Sequence, residues 1–139
     1  MKRKASAVWR GGLTDGKGTI STDSGALKDT QYSFAARFES GVGTNPEELI
    51  AAAHAGCFAM AFSAELGKTG LTPESISATA TVSLEKTNEG FTVTESHLDV
   101  TAKVPGADRA KVTEIANAAK AGCPISRLLK AKVTMDLKL

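Results

Sequence analysis

The stretch NPEELIAAAHAGCFAMAFSAELGK, residues 45–68, decides the fold. Asn45 can cap a helix, Pro46 fits the first helical position, and Glu48 stands three residues after the cap. Glu47 and Glu48 also suit the positive end of the helix dipole. Apolar residues then appear on nearly every side, until Gly67 or Gly70 can end the run. That pattern predicts a central helix buried all round. Its middle is small: Ala51, Ala52, Ala53, Ala55, Gly56, Ala59 and Ala61 let another backbone come close. A chain of 139 residues has few elements with which to surround such a helix. A second subunit is therefore expected, as a homodimer.

Before this helix, Ala5, Ala7 and Trp9 lie on one face of a strand, and the glycines of RGGLTDGKG turn the chain. GTIST and YSFAARF are short strand candidates on either side of the turn-like TDSGALKDT. Residues 4–39 thus read as a three-stranded antiparallel meander. After the helix, ISATATVSLEK alternates Ala78, Ala80, Val82 and Leu84 inward, TNEG turns, and FTVTESHLDVTAKV returns. The return strand changes phase midway, which predicts a bulge near Glu95 to His97. In DRAKVTEIANAAKAG, Val112, Ile115, Ala116 and Ala119 stand at helical spacing behind an Asp108 cap. Pro124 can start a further short helix with Cys123 at the cap. The tail alternates Ala131, Val133, Met135, Leu137 and Leu139 as a half-buried strand. The order βββ-α-ββ-α-α-β predicts one α+β domain over residues 1–139, with antiparallel sheets wrapped around the central helix.

Composition narrows the function. Hydrophobic residues make up 42% of the chain and charged ones 23%, as in a globular domain. Seventeen basic against 15 acidic residues give a net charge of +2, spread along the chain, which argues against nucleic acid. MKRKASAVWRGG has no apolar run behind its basic residues, and no stretch reads as a membrane span. The expectation is a cytoplasmic protein without a membrane partner. Thiols are kept reduced there, so a permanent disulfide between Cys57 and Cys123, the only two cysteines, is disfavoured.

On an apolar helix, Cys57 reads by default as a small hydrophobe, because burial raises a thiol pKa. Reactivity would require a nearby cation. Cys123, at the start of a short helix, sees unpaired amide N–H groups that favour a thiolate, so local physics alone makes it the better nucleophile. Arg37, in FAARFES, is either a solvated edge residue or a cation aimed at a thiol. Glu47 or Glu48 could hold an arginine in a forked ion pair. Ten residues separate Glu47 from Cys57, about 15 Å of helix, so neither carboxylate can touch that sulfur on its own helix. Either Arg37 bridges them or a partner subunit brings its own copies. His54, Cys57, His97 and Cys123 could in principle converge on zinc, but no CxxC or HExxH spacing supports a metal site. No nucleophile elbow, phosphate loop or dinucleotide fingerprint occurs.

GTNPEELIAAAHAGCFAMAFSAEL together with KAGCPISRLLKA resembles the osmotically inducible protein C/organic hydroperoxide resistance (OsmC/Ohr) family, and more its OsmC branch. The resemblance extends from VWRGG and GKGTIST through ARFE to the terminal strand. It implies an intertwined homodimer and a thiol-dependent peroxidase reducing organic hydroperoxides, with the site at the subunit interface. By motif match, Cys57 is the peroxidatic cysteine and Cys123 the resolving one, which reverses the local reading. Arg37 matches the thiolate-stabilising arginine and Glu47 its partner. No cofactor is implied beyond an external reductant, a dithiol or a lipoyl group.

The implied cycle, through a Cys57 sulfenate and a Cys57–Cys123 disulfide recycled by the dithiol, suits these residues. Leu49, Ile50, Phe58, Met60 and Phe62 are candidates for an apolar substrate-binding wall preferring organic peroxides to hydrogen peroxide. Plain core is the default for all five, and most are expected to be core. The alternative on the same scaffold is a non-catalytic redox sensor or hydrophobic-ligand carrier.

Overall fold

The computed structural model describes residues 1–139 as two compact units, 1–49 and 50–139. The first contains strands β1 (Ala5–Arg10), β2 (Lys17–Thr22) and β3 (Thr30–Tyr32), in an antiparallel sheet of order β1-β2-β3. The expected meander is present, but its third strand is short. Gly18 pairs with Trp9 on one side and Tyr32 on the other, and their rings meet with centroids 5.4 Å apart. A Cβ on Gly18 would lie 2.3 Å from the Tyr32 ring, so only glycine fits between them.

YSFAARF is not a strand. After Tyr32 the chain turns into helix α1 (Phe34–Phe38), because Ser33 adopts an extended cap conformation and its Oγ accepts the Ala36 N–H at 3.1 Å. A serine followed by FAARF satisfies a helix start as readily as a strand, and the cap decides. The order therefore becomes βββ-α-α-ββ-α-α-β.

Helix α2 (Pro46–Lys68) starts as expected. Asn45 Oδ1 accepts the Glu48 N–H at 2.8 Å, while its Nδ2 donates to the Ala36 carbonyl at 3.0 Å, tying α1 to the start of α2. The Glu48 carboxylate accepts from Thr44 Oγ1. At the far end Gly70 takes φ +79°, and the Leu71 N–H closes on the Leu66 carbonyl.

The expectation of burial all round does not hold for a single chain. Only His54, Phe58, Phe62 and Leu66 are buried, one i, i+4 stripe, and Met60 is 77% exposed. By length and composition α2 could also cross a membrane, with a mean hydropathy of 1.5, contrary to the sequence expectation. Its stripe, however, lies in a protein core and carries a hydrogen-bonded histidine.

That core belongs to the second unit. Strands β4 (Ser75–Thr87) and β5 (Gly90–Lys103) form a long antiparallel hairpin. Ser83 faces Glu95 and Leu84 faces Val93, so Thr94 is the bulged residue, one position before the expected stretch. Beyond it, Ser96, Leu98, Val100 and Ala102 are buried. Helix α3 (Arg109–Gly122), capped by Asp108 Oδ2 on the Lys111 N–H, buries Val112, Ile115, Ala116 and Ala119 as expected. These residues and the α2 stripe make one cluster with Cys123. Helix α4 (Pro124–Leu128) follows, and β6 (Lys132–Lys138) joins β5.

This last pairing is parallel, so the second sheet is mixed rather than antiparallel. The intervening helices α3 and α4 form the crossover that a parallel return needs.

Candidate functional site

The predicted site residues form two pairs, one in each unit. In the first unit, Arg37 stands in the last turn of α1 and Glu47 in the first turn of α2. Arg37 Nη2 donates to Glu47 Oε1 at 2.8 Å, and Nε donates to Oε1 and Oε2, both at 3.2 Å. This forked pairing fixes the guanidinium plane as well as its position. The Arg37 side chain is 38% exposed against 12% for Glu47, so the carboxylate is covered and the cation faces outward. The guanidinium also lies 5.2 Å from the Phe38 ring centroid. Beside it, Trp9, Leu13, Tyr32, Phe34 and Phe38 line an apolar cavity of about 280 Å³.

In the second unit, Cys57 on α2 and Cys123 at the α3–α4 junction are both free thiols. Cys57 is half-buried and Cys123 fully buried. Cys57 is thus the more exposed of the two sulfurs, although the local argument from the helix start ranks Cys123 first. Cys123 caps two helices with its backbone. Its N–H bonds the Ala119 carbonyl at 2.8 Å and its carbonyl accepts the Arg127 N–H at 3.0 Å. Its side chain makes no cap hydrogen bond, which leaves the sulfur for another partner.

The Cys57 thiol is pushed up from the ordinary thiol value, first by burial and then by hydrogen bonding with the Cys123 side chain. The Ile125 backbone N–H opposes this by favouring the thiolate. No cationic side chain figures among these influences.

The wall candidates divide. Phe58 and Phe62 are fully buried in the core with ring centroids 5.7 Å apart, so in this chain they pack α2 rather than line an open surface. Leu49 and Ile50 are half-buried on the first turns of α2. Met60 is exposed.

The zinc constellation is not assembled. His54 Nδ1 lies 2.7 Å from Ser96 Oγ and its Nε2 lies 2.8 Å from Ser126 Oγ, so both nitrogens are engaged by hydroxyls. His97 pairs instead with Thr134 Oγ1 and Asp136 Oδ2 on β6. Burial pushes His54 below the ordinary histidine value, which keeps the ring neutral at neutral pH. The buried histidine–serine triplet escaped the sequence reading. Its signal was a lone polar residue in the stripe His54, Phe58, Phe62, Leu66.

The OsmC-like protein family matches residues 39–138. Over all 139 residues the chain is 51% identical to peroxiredoxin OsmC of Escherichia coli (strain K12), covering 97% of that protein. It is 29% identical over 136 residues to the organic hydroperoxide resistance protein OhrB of Bacillus subtilis (strain 168), covering 97% of this chain and 96% of that one. The crystal structure of B. subtilis OhrB superposes with a TM-score of 0.72 at 32% identity, over 98% of this chain and 97% of that one. An organic hydroperoxide resistance protein OsmC from Legionella pneumophila gives 0.72 at 26% identity, with the same coverage.

Proposed function

The chain belongs to the OsmC-like protein family, and from that premise we propose that it is a two-cysteine peroxidase acting on organic hydroperoxides. Relatives named peroxiredoxin and organic hydroperoxide resistance protein support a peroxide-reducing role. The observation that carries the finer reading is the sulfur pair. The chain's only two thiols, 66 residues apart in sequence, belong to one packed cluster, Cys57 half-buried and Cys123 fully buried.

In the first step the Cys57 thiolate attacks the outer oxygen of ROOH. The O–O bond breaks, Cys57 becomes a sulfenic acid, and the alkoxide leaves as ROH after taking a proton. Next, the Cys123 thiol condenses with the sulfenic acid. The S–S bond forms, the S–O bond breaks, and water departs. An external dithiol, lipoyl-type groups included, then reduces the disulfide and is itself oxidised. The preference for organic peroxides over hydrogen peroxide is assigned to apolar surface, with Leu49 and Ile50 the half-buried members of the expected wall.

Arg37, oriented by Glu47, supplies the charge that burial makes necessary at Cys57 and stabilises the departing alkoxide. We assign this service to a homodimer in which a partner subunit brings its Arg37–Glu47 pair to Cys57. The exposed Met60 and the small exposed residues Ala52, Ala53 and Gly56 on α2 support such a contact. The setting proposed is the reducing cytoplasm, where dithiols are available.

Steady-state peroxide consumption with dithiothreitol or dihydrolipoamide tests the proposal, comparing cumene or tert-butyl hydroperoxide with hydrogen peroxide. Turnover is expected with the organic substrates and abolished in Cys57→Ser. A Cys57→Ser variant as active as the parent would remove the reading. Stoichiometric thiol oxidation without turnover, under excess dithiol, would mark a redox sensor or ligand carrier instead.

A further inference from the structure

We propose that His54 is a positioning residue for the sulfur pair: through Ser126 it holds helix α4, and with it Cys123, in register with Cys57. This inference deepens the peroxidase reading and rests on it for its catalytic meaning.

The geometry is specific. His54 is fully buried and is the one polar side chain in the buried stripe of α2. An imidazole in such a place is unfavourable unless its nitrogens are satisfied. Both are, by hydroxyls on two different elements: Ser96 on β5 and Ser126 on α4. Ser96 is itself fully buried. The sheet side therefore fixes the ring, and the opposite nitrogen reaches α4. A neutral ring suits two hydroxyls, since one nitrogen donates and the other accepts.

Helix α4 needs an anchor. It has five residues, none of them fully buried: Ile125 packs half-buried against the core, and Leu128 is 72% exposed. Cys57 and Ile125 both pack against the core cluster, and the next residue of α4 makes the polar contact: Ser126 Oγ lies 2.8 Å from His54 Nε2. His54 and Cys57, at i and i+3, share one face of α2. The His54–Ser126 contact thus docks the start of α4 on the α2 turn that carries the thiol, and Cys123 directly precedes that start.

Condensation of the sulfenic acid with Cys123 is sensitive to this register. A disulfide accepts only a narrow range of Cα separations, and displacements of about 1 Å can cost two orders of magnitude in rate. A loosened α4 leaves the sulfenic acid waiting, and a second peroxide then carries it to sulfinic acid.

Three variants separate positioning from bulk stability. Ser126→Ala deletes the α4 link and leaves the imidazole intact. His54→Asn places an amide near the former Nδ1 and keeps only the Ser96 link. His54→Gln reaches the former Nε2 and can restore the bond to Ser126. Rapid quench with mass spectrometry gives the rate of disulfide formation relative to sulfenic acid formation. That ratio is expected to fall about tenfold or more in Ser126→Ala and His54→Asn, with sulfinic acid accumulating, and to recover in His54→Gln. Equilibration with glutathione redox buffers, which needs no peroxide, is expected to show the Cys57–Cys123 disulfide at least tenfold less favoured in Ser126→Ala. Parent-like values for Ser126→Ala in both measurements would overturn the positioning role while leaving the peroxidase reading intact. Parent protein that forms the disulfide with glutathione but not with hydroperoxide would overturn the peroxidase reading instead.

Discussion

Arg37 presents Nε and Nη2 to the two oxygens of Glu47, and Nη1 takes no part in the pairing. A side-on grip of this kind orients a cation and leaves one edge for another acceptor. Neither residue touches the other through a long shared helix. A short loop carries the chain from α1 to α2, and Asn45 clamps the corner by bonding both. The pair is therefore set by local architecture, and its direction is a property of the first unit alone.

Removing the grip should cost activity more than stability. Glu47→Ala leaves Arg37 charged but free to rotate, and the expected loss in kcat/KM with cumene hydroperoxide is about 10²-fold. Glu47→Gln keeps one acceptor and should lose less. Urea denaturation of both variants should stay within about 1 kcal/mol of the parent, as for a partly exposed ion pair. Wild-type kinetics in Glu47→Ala would deny the carboxylate its orienting role.

Arg37→Met isolates what the second unit does to Cys57 by itself. Burial and Cys123 raise the thiol, and the Ile125 N–H only partly opposes them. The thiolate is the nucleophile, so a raised pKa lowers its fraction at neutral pH. In Arg37→Met the peroxide reaction rate should climb with pH to beyond the ordinary thiol range of about 8.5, with little activity at pH 7. The parent profile should level off at lower pH. Thiolate absorbance at about 240 nm, followed against pH, reads the same transition directly. Coincident profiles for the two proteins would separate Arg37 from the thiol.

Much of this fold is legible where local chemistry and periodicity agree. Asn45-Pro46 and Asp108 act as caps, the Val112, Ile115, Ala116, Ala119 face is buried, and the 75–103 hairpin carries its bulge close to the expected place. The errors lie where a tertiary choice overrides a local pattern. Ser33 converts an apolar strand candidate into α1. The parallel pairing of β6 depends on where α3 and α4 carry the chain, which alternation cannot reveal. The apolar composition of every face of α2 predicts burial all round with a second subunit, and a single chain covers one stripe of it.

The site shows the same division. Arg37 with Glu47 could be anticipated as a fork between an arginine and a helix-start carboxylate. That Cys57 and Cys123 share one cluster is a long-range relation that only the family resemblance anticipated. Local reasoning ranked Cys123 first for its helix start, and its complete burial reverses the order of access. For His54 the sequence offers nothing beyond an unsupported place in a zinc set, because its serine partners are 42 and 72 residues away.

Gly18 tests how the aromatic cavity is built. A Cβ there would sit 2.3 Å and 2.6 Å from Tyr32 ring atoms and 2.8 Å from Trp9. Rings cannot yield as a lysine tip does, so Gly18→Ala must separate Trp9 from Tyr32. Overpacking of this kind typically costs about 1–3 kcal/mol. A thermal melt should register the loss, and Trp9, the only tryptophan, should report it by a fluorescence shift. An unchanged melt and spectrum would show that the aromatic pair is not what fills the space above Gly18.

His54 makes a distinct contribution to acid stability. Its folded pKa lies below the ordinary histidine value of about 6.5 because burial disfavours the charged ring. Between the two values the unfolded chain holds a proton that the folded chain does not. Stability therefore rises with pH across that window. The stabilisation is fully present above the unfolded value and is lost as pH falls through the folded one. One group can contribute at most about 1.4 kcal/mol per pH unit. Urea midpoints measured from pH 7.5 down to pH 5 should fall more steeply for the parent than for His54→Gln, which cannot titrate. The two proteins differ at this one side chain, so the difference between their slopes isolates it. Identical slopes would mean that the ring at position 54 takes up its proton as readily in the folded protein as in the unfolded chain, contrary to its enclosure between Ser96 and Ser126.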